Sequence, residues 1–205
     1  ITANERFALF YPEKRPFFLE GADLFDTVLD LVHTRDIADP SWGLKLTGEE
    51  GANAVGVLVA EDEVTNLLLP GAESSELVAL DEGNTSSILR YRRDLPLAGS
   101  TAGVLYTGRD GDDYSNRVLG TDLLFRFSER HAFRVEAFGS ETEYPEELAA
   151  EYGLDPGTLT DHALRLGYSY TSERWYAYST YLDLGRDFRA DLGFIPQVDV
   201  QQGAV

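Results

Sequence analysis

Residues 116–140 read NRVLGTDLLFRFSERHAFRVEAFGS, two alternating runs on either side of a short polar turn at 128–130. In the first run Leu119, Leu123, Phe125 and Phe127 share one parity, while Asp122 and Arg126 take the other. In the second, Phe133, Val135 and Ala137 alternate with Arg134 and Glu136. A period of two marks strands with unlike faces, so the stretch predicts an antiparallel hairpin, greasy on one side and charged on the other.

The same alternation extends in both directions. It predicts strands at about 42–48, 53–61, 86–93, 101–108, 116–127, 131–140, 162–171 and 175–184, with 28–36 as a further candidate. One parity set is apolar or aromatic: Leu44, Leu46, Val55, Val57, Val59, Leu89, Tyr91, Val104 and Tyr106. It continues through the opening hairpin to Leu164, Leu166, Tyr168 and Tyr170, then Tyr176, Tyr178, Leu182 and Leu184. The other set carries Lys45, Arg90, Arg92, Asp122, Arg126, Arg134, Glu136, Arg165 and Asp183.

Parity alone fits two architectures. In a sandwich the apolar set is a core; in a membrane barrel it meets lipid while the charged set lines the lumen. Two features favour the barrel. Most predicted strands are about eight to twelve residues long, close to the ~9–11 of a tilted spanning strand. Aromatic residues also crowd the strand ends beside the short connections, as in an interfacial belt. Short connections alternate with long ones at 62–85, 109–115 and 141–161. The first and last of these carry many acids and no Lys or Arg. The expected fold is therefore an all-β, antiparallel transmembrane β-barrel of about eight or more strands, with short periplasmic turns and long acidic extracellular loops. Within those loops, YPEELAAEYG predicts a short helix with a glycine stop, and VTNLLLPG is apolar enough to pack over the barrel mouth.

Composition narrows the partners. With 36 acidic residues against 17 Lys and Arg, the formal charge is −19, which argues against nucleic acid as a ligand. There is no cysteine, hence no disulfide or thiolate metal site. No apolar run reaches the ~20 residues of a membrane helix. The chain starts ITANERF and has no methionine, which reads as a piece of a longer protein.

Pro12 and Pro16 bracket Glu13, Lys14 and Arg15, followed by Phe17, Phe18, Glu20 and Gly21. Two prolines fix φ and remove donors, so this stretch is stiff and unfit for a central strand. The runs RFALFYPEKRPFFLEGADLF, HTRDI, WGLKLTG, LRYRRDL and LGFIP together resemble an uncharacterised bacterial outer-membrane β-barrel family. In that family a carbohydrate-binding domain of the family-nine type usually precedes the barrel. His33 stands where the pattern leads one to expect an aromatic, and Asp36 where it leads one to expect an arginine. The resemblance implies an outer-membrane location, outer-membrane lipid as a partner, and a barrel that continues past the chain end. It also implies a saccharide association and room for partner protein chains. Residues 1–27 are expected to plug or cap the periplasmic mouth, their charges pairing with the wall, and 28–205 to form barrel.

Two chemical readings stay open. GRDGDDYSN brings Asp110, Asp112, Asp113 and Asn116 close in sequence, a donor set suited to calcium or to a solvated acidic turn. The charged wall suits either solute passage or a filled, ion-paired interior. His33, His131 and His162 are scattered, and no nucleophile, zinc or nucleotide motif is present. The expectation is thus a non-enzymatic barrel that binds or passes small solutes. A sealed adhesive barrel is the first alternative, and a soluble β-rich carbohydrate-binding protein or enzyme from a salt-adapted organism the second.

Overall fold

A computed structural model describes residues 13–80, 82–97 and 99–205. Its strands are β1 (Pro40–Glu50), β2 (Asn53–Asp62), β3 (Thr65–Pro70), β4 (Ser75–Leu80), β5 (Asn84–Asp94) and β6 (Thr101–Asp110). They continue as β7 (Ser115–Arg126), β8 (His131–Glu143), β9 (Leu159–Thr171), β10 (Tyr176–Leu184) and β11 (Val200–Ala204). Two short helices accompany them, α1 (Pro16–Leu19) and α2 (Glu146–Tyr152). Every neighbouring pair in the main sheet is antiparallel, in the order β1-β2-β5-β6-β7-β8-β9-β10-β11, and β3 pairs only with β4. The all-β antiparallel expectation holds. Among the described residues β1 and β11 end the order without pairing to each other, so the sheet is open rather than a closed barrel.

The two faces differ sharply. On the bare face Leu44, Leu46 and Leu119 are 61%, 63% and 59% exposed, and Val55, Leu89 and Val104 are exposed too. On the covered face Leu58, Ile88, Leu105, Val118, Phe138 and Ala163 are buried. Two chain segments cover them. One is residues 13–39, which contribute Phe18, Leu24, Phe25, Leu29, Leu31 and Ile37; the other is the stretch after β10, which contributes Phe188, Ala190, Leu192, Ile195 and Val198. The two segments also bond to each other, His33 N–H to Leu192 O at 2.6 Å and Phe194 N–H to Asp30 O at 2.7 Å. The core therefore lies between the charged parity set and these segments. Among the described residues no chain segment covers the bare face of β1 to β9.

Three expectations need correction. Residues 28–36 form no strand: they cross the covered face as irregular chain ending in a 3₁₀ turn at Thr34–Asp36. Val28 and Leu29 donate to Glu136 on the wall, Leu31 to Leu29 O and His33 to Leu192 O, so no ladder forms. The covering segment consequently runs to Asp39 rather than to residue 27. VTNLLLPG is not a loop but part of the β3–β4 hairpin, whose Leu67 and Leu69 pack with Tyr114 and Leu148 in a second small core. The predicted helix is present as α2, with Gly153 in the left-handed conformation at its end (φ 65°).

Strand β10 reverses the predicted parity. Four residues join Thr171 to Tyr176, and the resulting register pairs Tyr176 with Thr171 and Leu184 with Ala163. Tyr176, Tyr178, Leu182 and Leu184 therefore lie on the covered side. Asp183 pairs with Leu164 on the bare side, where Tyr181 donates to it at 3.1 Å and Gln201 at 3.3 Å. Asp183 is not a wall-lining residue. The apolar band of the bare face thus spans β1 to β9 and turns polar at β10–β11.

Candidate functional site

The covered face is where the chemistry gathers. Of the nine residues expected to line the wall, Lys45, Arg90, Arg92, Asp122, Arg126, Arg134, Glu136 and Arg165 share this face by register, six bases and two acids.

Three of them hold the covering segment by its backbone. Lys45 donates to Phe17 O and Phe18 O at 3.2 and 3.0 Å. Arg90 Nε donates to Leu24 O at 3.0 Å, and its terminal nitrogens pair with Asp122. Glu136, buried at mid-wall, accepts the amides of Val28 and Leu29 at 2.6 and 3.0 Å. Such charge-assisted bonds are stronger than neutral ones and need no matching side chain. Small residues let the layers approach: a Cβ on Gly56 would stand 2.7 Å from the Phe25 ring, and one on Gly103 2.6 Å from Asp122.

The charges of the lead-in behave otherwise than expected. Glu13 pairs with Arg15 at 2.7 Å and accepts from Thr34 at 2.8 Å, while Arg15 donates to Thr34 O and Ile37 O and lies 4.1 Å over the Phe18 ring. Burial raises the Glu13 carboxyl, but the bonds from Arg15 and Thr34 outweigh it and hold the group down at about 2. These ions knit the segment to itself, and the wall ions reach its backbone. Phe18 is the buried wedge, Phe17 lies against Gly43, Lys14 and Glu20 are exposed, and Gly21 adopts a left-handed φ of 62°. Pro12 lies outside the described residues. The segment leaves the wall at the long-loop end, where Ala38 and Asp39 donate to Asp62 at 2.8 and 2.7 Å.

At that long-loop end sits a buried polar knot absent from the sequence reading. Arg109, with no exposed surface, donates to Asn84 Oδ1, Asn66 O, Asp191 O and Asp36 O at 2.7–3.2 Å. Tyr114 and Tyr144 donate to the Asp191 carboxylate at 2.7 and 3.0 Å. Burial raises the Asp191 carboxyl against these bonds. It drives the Asp36 carboxyl up to about 8, with Arg109 pulling down and Asp191, Asp30 and Asp62 pushing up. One sequence signal was available: Arg109 continues the inward parity of Leu105 and Thr107.

The short-turn end is arranged differently. Arg126, Arg134 and Arg165, on β7, β8 and β9, line one open cavity of about 310 Å³ with Tyr176 and Tyr178. On the opposite face of the same end, Phe125, Phe127, His131 and Tyr168 stack in a row, with His131 Nδ1 2.7 Å from the Tyr168 hydroxyl.

The residues read as a calcium loop do not converge. Asp110 pairs with Arg117 at 2.6 Å, Asp112 and Asp113 are exposed, and Asn116 is buried, bonded to Thr142, Arg189 O and the Asp191 amide. Among the described residues no three His, Asp or Glu gather as a metal centre.

Fold and site together define an antiparallel β-sheet protein whose charged face is lined by its own N-terminal segment. No family model, curated protein or solved structure matches the chain.

Proposed function

We propose that the chain is part of an outer-membrane β-barrel, with hydrocarbon on the bare face, the N-terminal segment inside as a plug, and a basic wall that binds or passes small solutes. The observation that carries this reading is the inversion of the faces: a band of exposed Leu, Val and aromatic residues lies outward, while Arg90, Arg109 and Glu136 are buried inward. That arrangement suits lipid outside and a polar lumen within. Open edges are not tolerated in hydrocarbon, so further strands between β11 and β1 complete the ring. The row of rings at the short-turn end fits an interfacial belt. The family resemblance adds the saccharide association.

A sealed barrel is the second reading, favoured by the filled core and by the knot that ties the long-loop end shut. The two tryptophans supply the test. Trp42 lies on β1 near the long-loop end, and Trp175 lies in the short β9–β10 turn, both exposed. Reconstituted protein should show both quenched by lipids brominated near the headgroup, and less by lipids brominated at mid-chain. Full solubility without detergent, with no quenching, would remove the membrane reading. Planar-bilayer conductance separates passage from sealing.

A further inference from the structure

We infer that the arginine–tyrosine cavity at the short-turn end is a binding site for a small solute bearing a carboxylate or phosphate on a flat or apolar body. The inference deepens the solute-binding reading but rests only on the covered face. Three adjacent strands each place one guanidinium there: Arg126 opposite Ala132, Arg134 opposite Leu124 and Gly167, and Arg165 opposite Glu136. None of the three guanidiniums has a hydrogen bond or ion pair with any described residue. Their acidic neighbours on the wall are Glu136, close enough to attract Arg165 and Arg134 but with both oxygens engaged by Val28 and Leu29, and Asp122, which pairs with Arg90.

Arg92, Arg93, Arg174 and Arg186 also make no side-chain bond among the described residues, so what sets these three apart is that they converge on one cavity. Acids outnumber bases by 36 to 17, so carboxylate partners are plentiful, and elsewhere on the same face Arg90 and Arg109 are fully engaged. Arginines converging on one cavity with their hydrogen-bond donors unused offer planar forks that match carboxylate and phosphate oxygens. Space is kept for the ligand. At Gly167 a Cβ would stand 4.0 Å from Arg165 Nη1 and 3.8 Å from Arg134 Cβ, so the wall there is bare backbone beneath the guanidiniums. Tyr176 and Tyr178, with ring centroids 5.8 Å apart, supply an aromatic edge against which the body of the solute can lie. The reversed parity of β10 is what brings these two rings to the arginines.

The experiment uses the folded full chain in detergent, titrated calorimetrically with phenyl phosphate, inorganic phosphate and phenol. Phenyl phosphate should bind, inorganic phosphate more weakly, and phenol not at all, with affinity falling as salt rises. Arg134→Gln and Arg165→Gln should each weaken phenyl phosphate about tenfold or more, the loss expected for a charged hydrogen-bond partner. Arg134→Lys, which keeps the charge but not the fork, should fall between. Gly167→Leu should abolish binding with every arginine in place, whereas Arg93→Gln on the bare face should change nothing. Vesicles of anionic lipid should not compete; competition would assign the oxyanion to a lipid headgroup instead of a free solute. The inference is overturned if phenyl phosphate does not bind, or if Gly167→Leu and the glutamine variants bind as the parent does. Tryptophan quenching reads the membrane assignment separately, so either idea can fail alone.

Discussion

Arg109 and Arg165 sit on the same face of the same sheet, yet they serve opposite ends. Around Arg109 the guanidinium meets backbone oxygens and Asn84 in a site without water access. Arg165 stands opposite Glu136, whose oxygens are taken by Val28 and Leu29, and makes no hydrogen bond among the described residues. A buried charge must be fully bonded or its desolvation is uncompensated. A half-exposed one can stay unpaired because solvent serves it. The contrast teaches that a basic wall read from parity is two devices, one that closes the fold and one that is left open.

The largest effect should come from breaking the closed end. Arg109→Met leaves Asn84 Oδ1 and the carbonyls of Asn66, Asp191 and Asp36 without their donor and removes the cation 3.9 Å from buried Asp62, and should cost about 3–5 kcal/mol of unfolding free energy, measured by denaturant titration in detergent. Next comes the anchor at mid-wall. Glu136→Gln puts an amide NH₂ where two backbone donors point, and should cost about 1–3 kcal/mol while exposing residues 13–39 to limited proteolysis. Gly56→Val, driven against Leu24 and Phe25, should cost about 1–3 kcal/mol by overpacking and give the same proteolytic pattern.

Asp36 sharpens the comparison by pH. Its carboxyl titrates near 3.8 in the unfolded chain and at about 8 in the fold. Between those values the folded state holds the extra proton, so stability from this group declines as pH rises from about 4 to about 8 and is flat above. Asp36→Asn should flatten that slope in a series of thermal melts. Glu13 acts in the reverse sense, its contribution lost as pH falls from 4.5 toward about 2. The smallest effect belongs to the open end: Arg126→Gln should alter stability by less than about 0.5 kcal/mol.

Most of the main sheet was legible. Eight of its nine strands follow from period two, because a sheet with one bare and one covered face forces strict alternation. What failed has local causes. In β10 the tyrosines share the parity of the greasy set, although a four-residue turn fixes the register and turns them to the polar side. Residues 28–36 alternate like a strand because Leu29 and Leu31 must be buried, but the amides of Val28 and Leu29 answer to Glu136, more than a hundred residues away. Within the candidate site, eight wall charges were readable from parity. The knot was not, since its acceptors are mainly backbone oxygens that no side-chain pattern announces. The acidic run at 110–116 looked like metal chemistry, yet Asn116 is a buried strut.

One consequence follows from where the lead-in is fastened. Residues 13–39 are synthesised well before their anchors at Glu136 and at Leu192. Loop closure over such separations is entropically costly and slow, so this segment must wait, unlocked, until the eighth strand and the segment beyond the tenth have taken their places. Whatever escorts the nascent polypeptide therefore meets the EKRPFF run (residues 13–18) bare, with its aromatic rings uncovered, and the segment docks only after the strands that hold it.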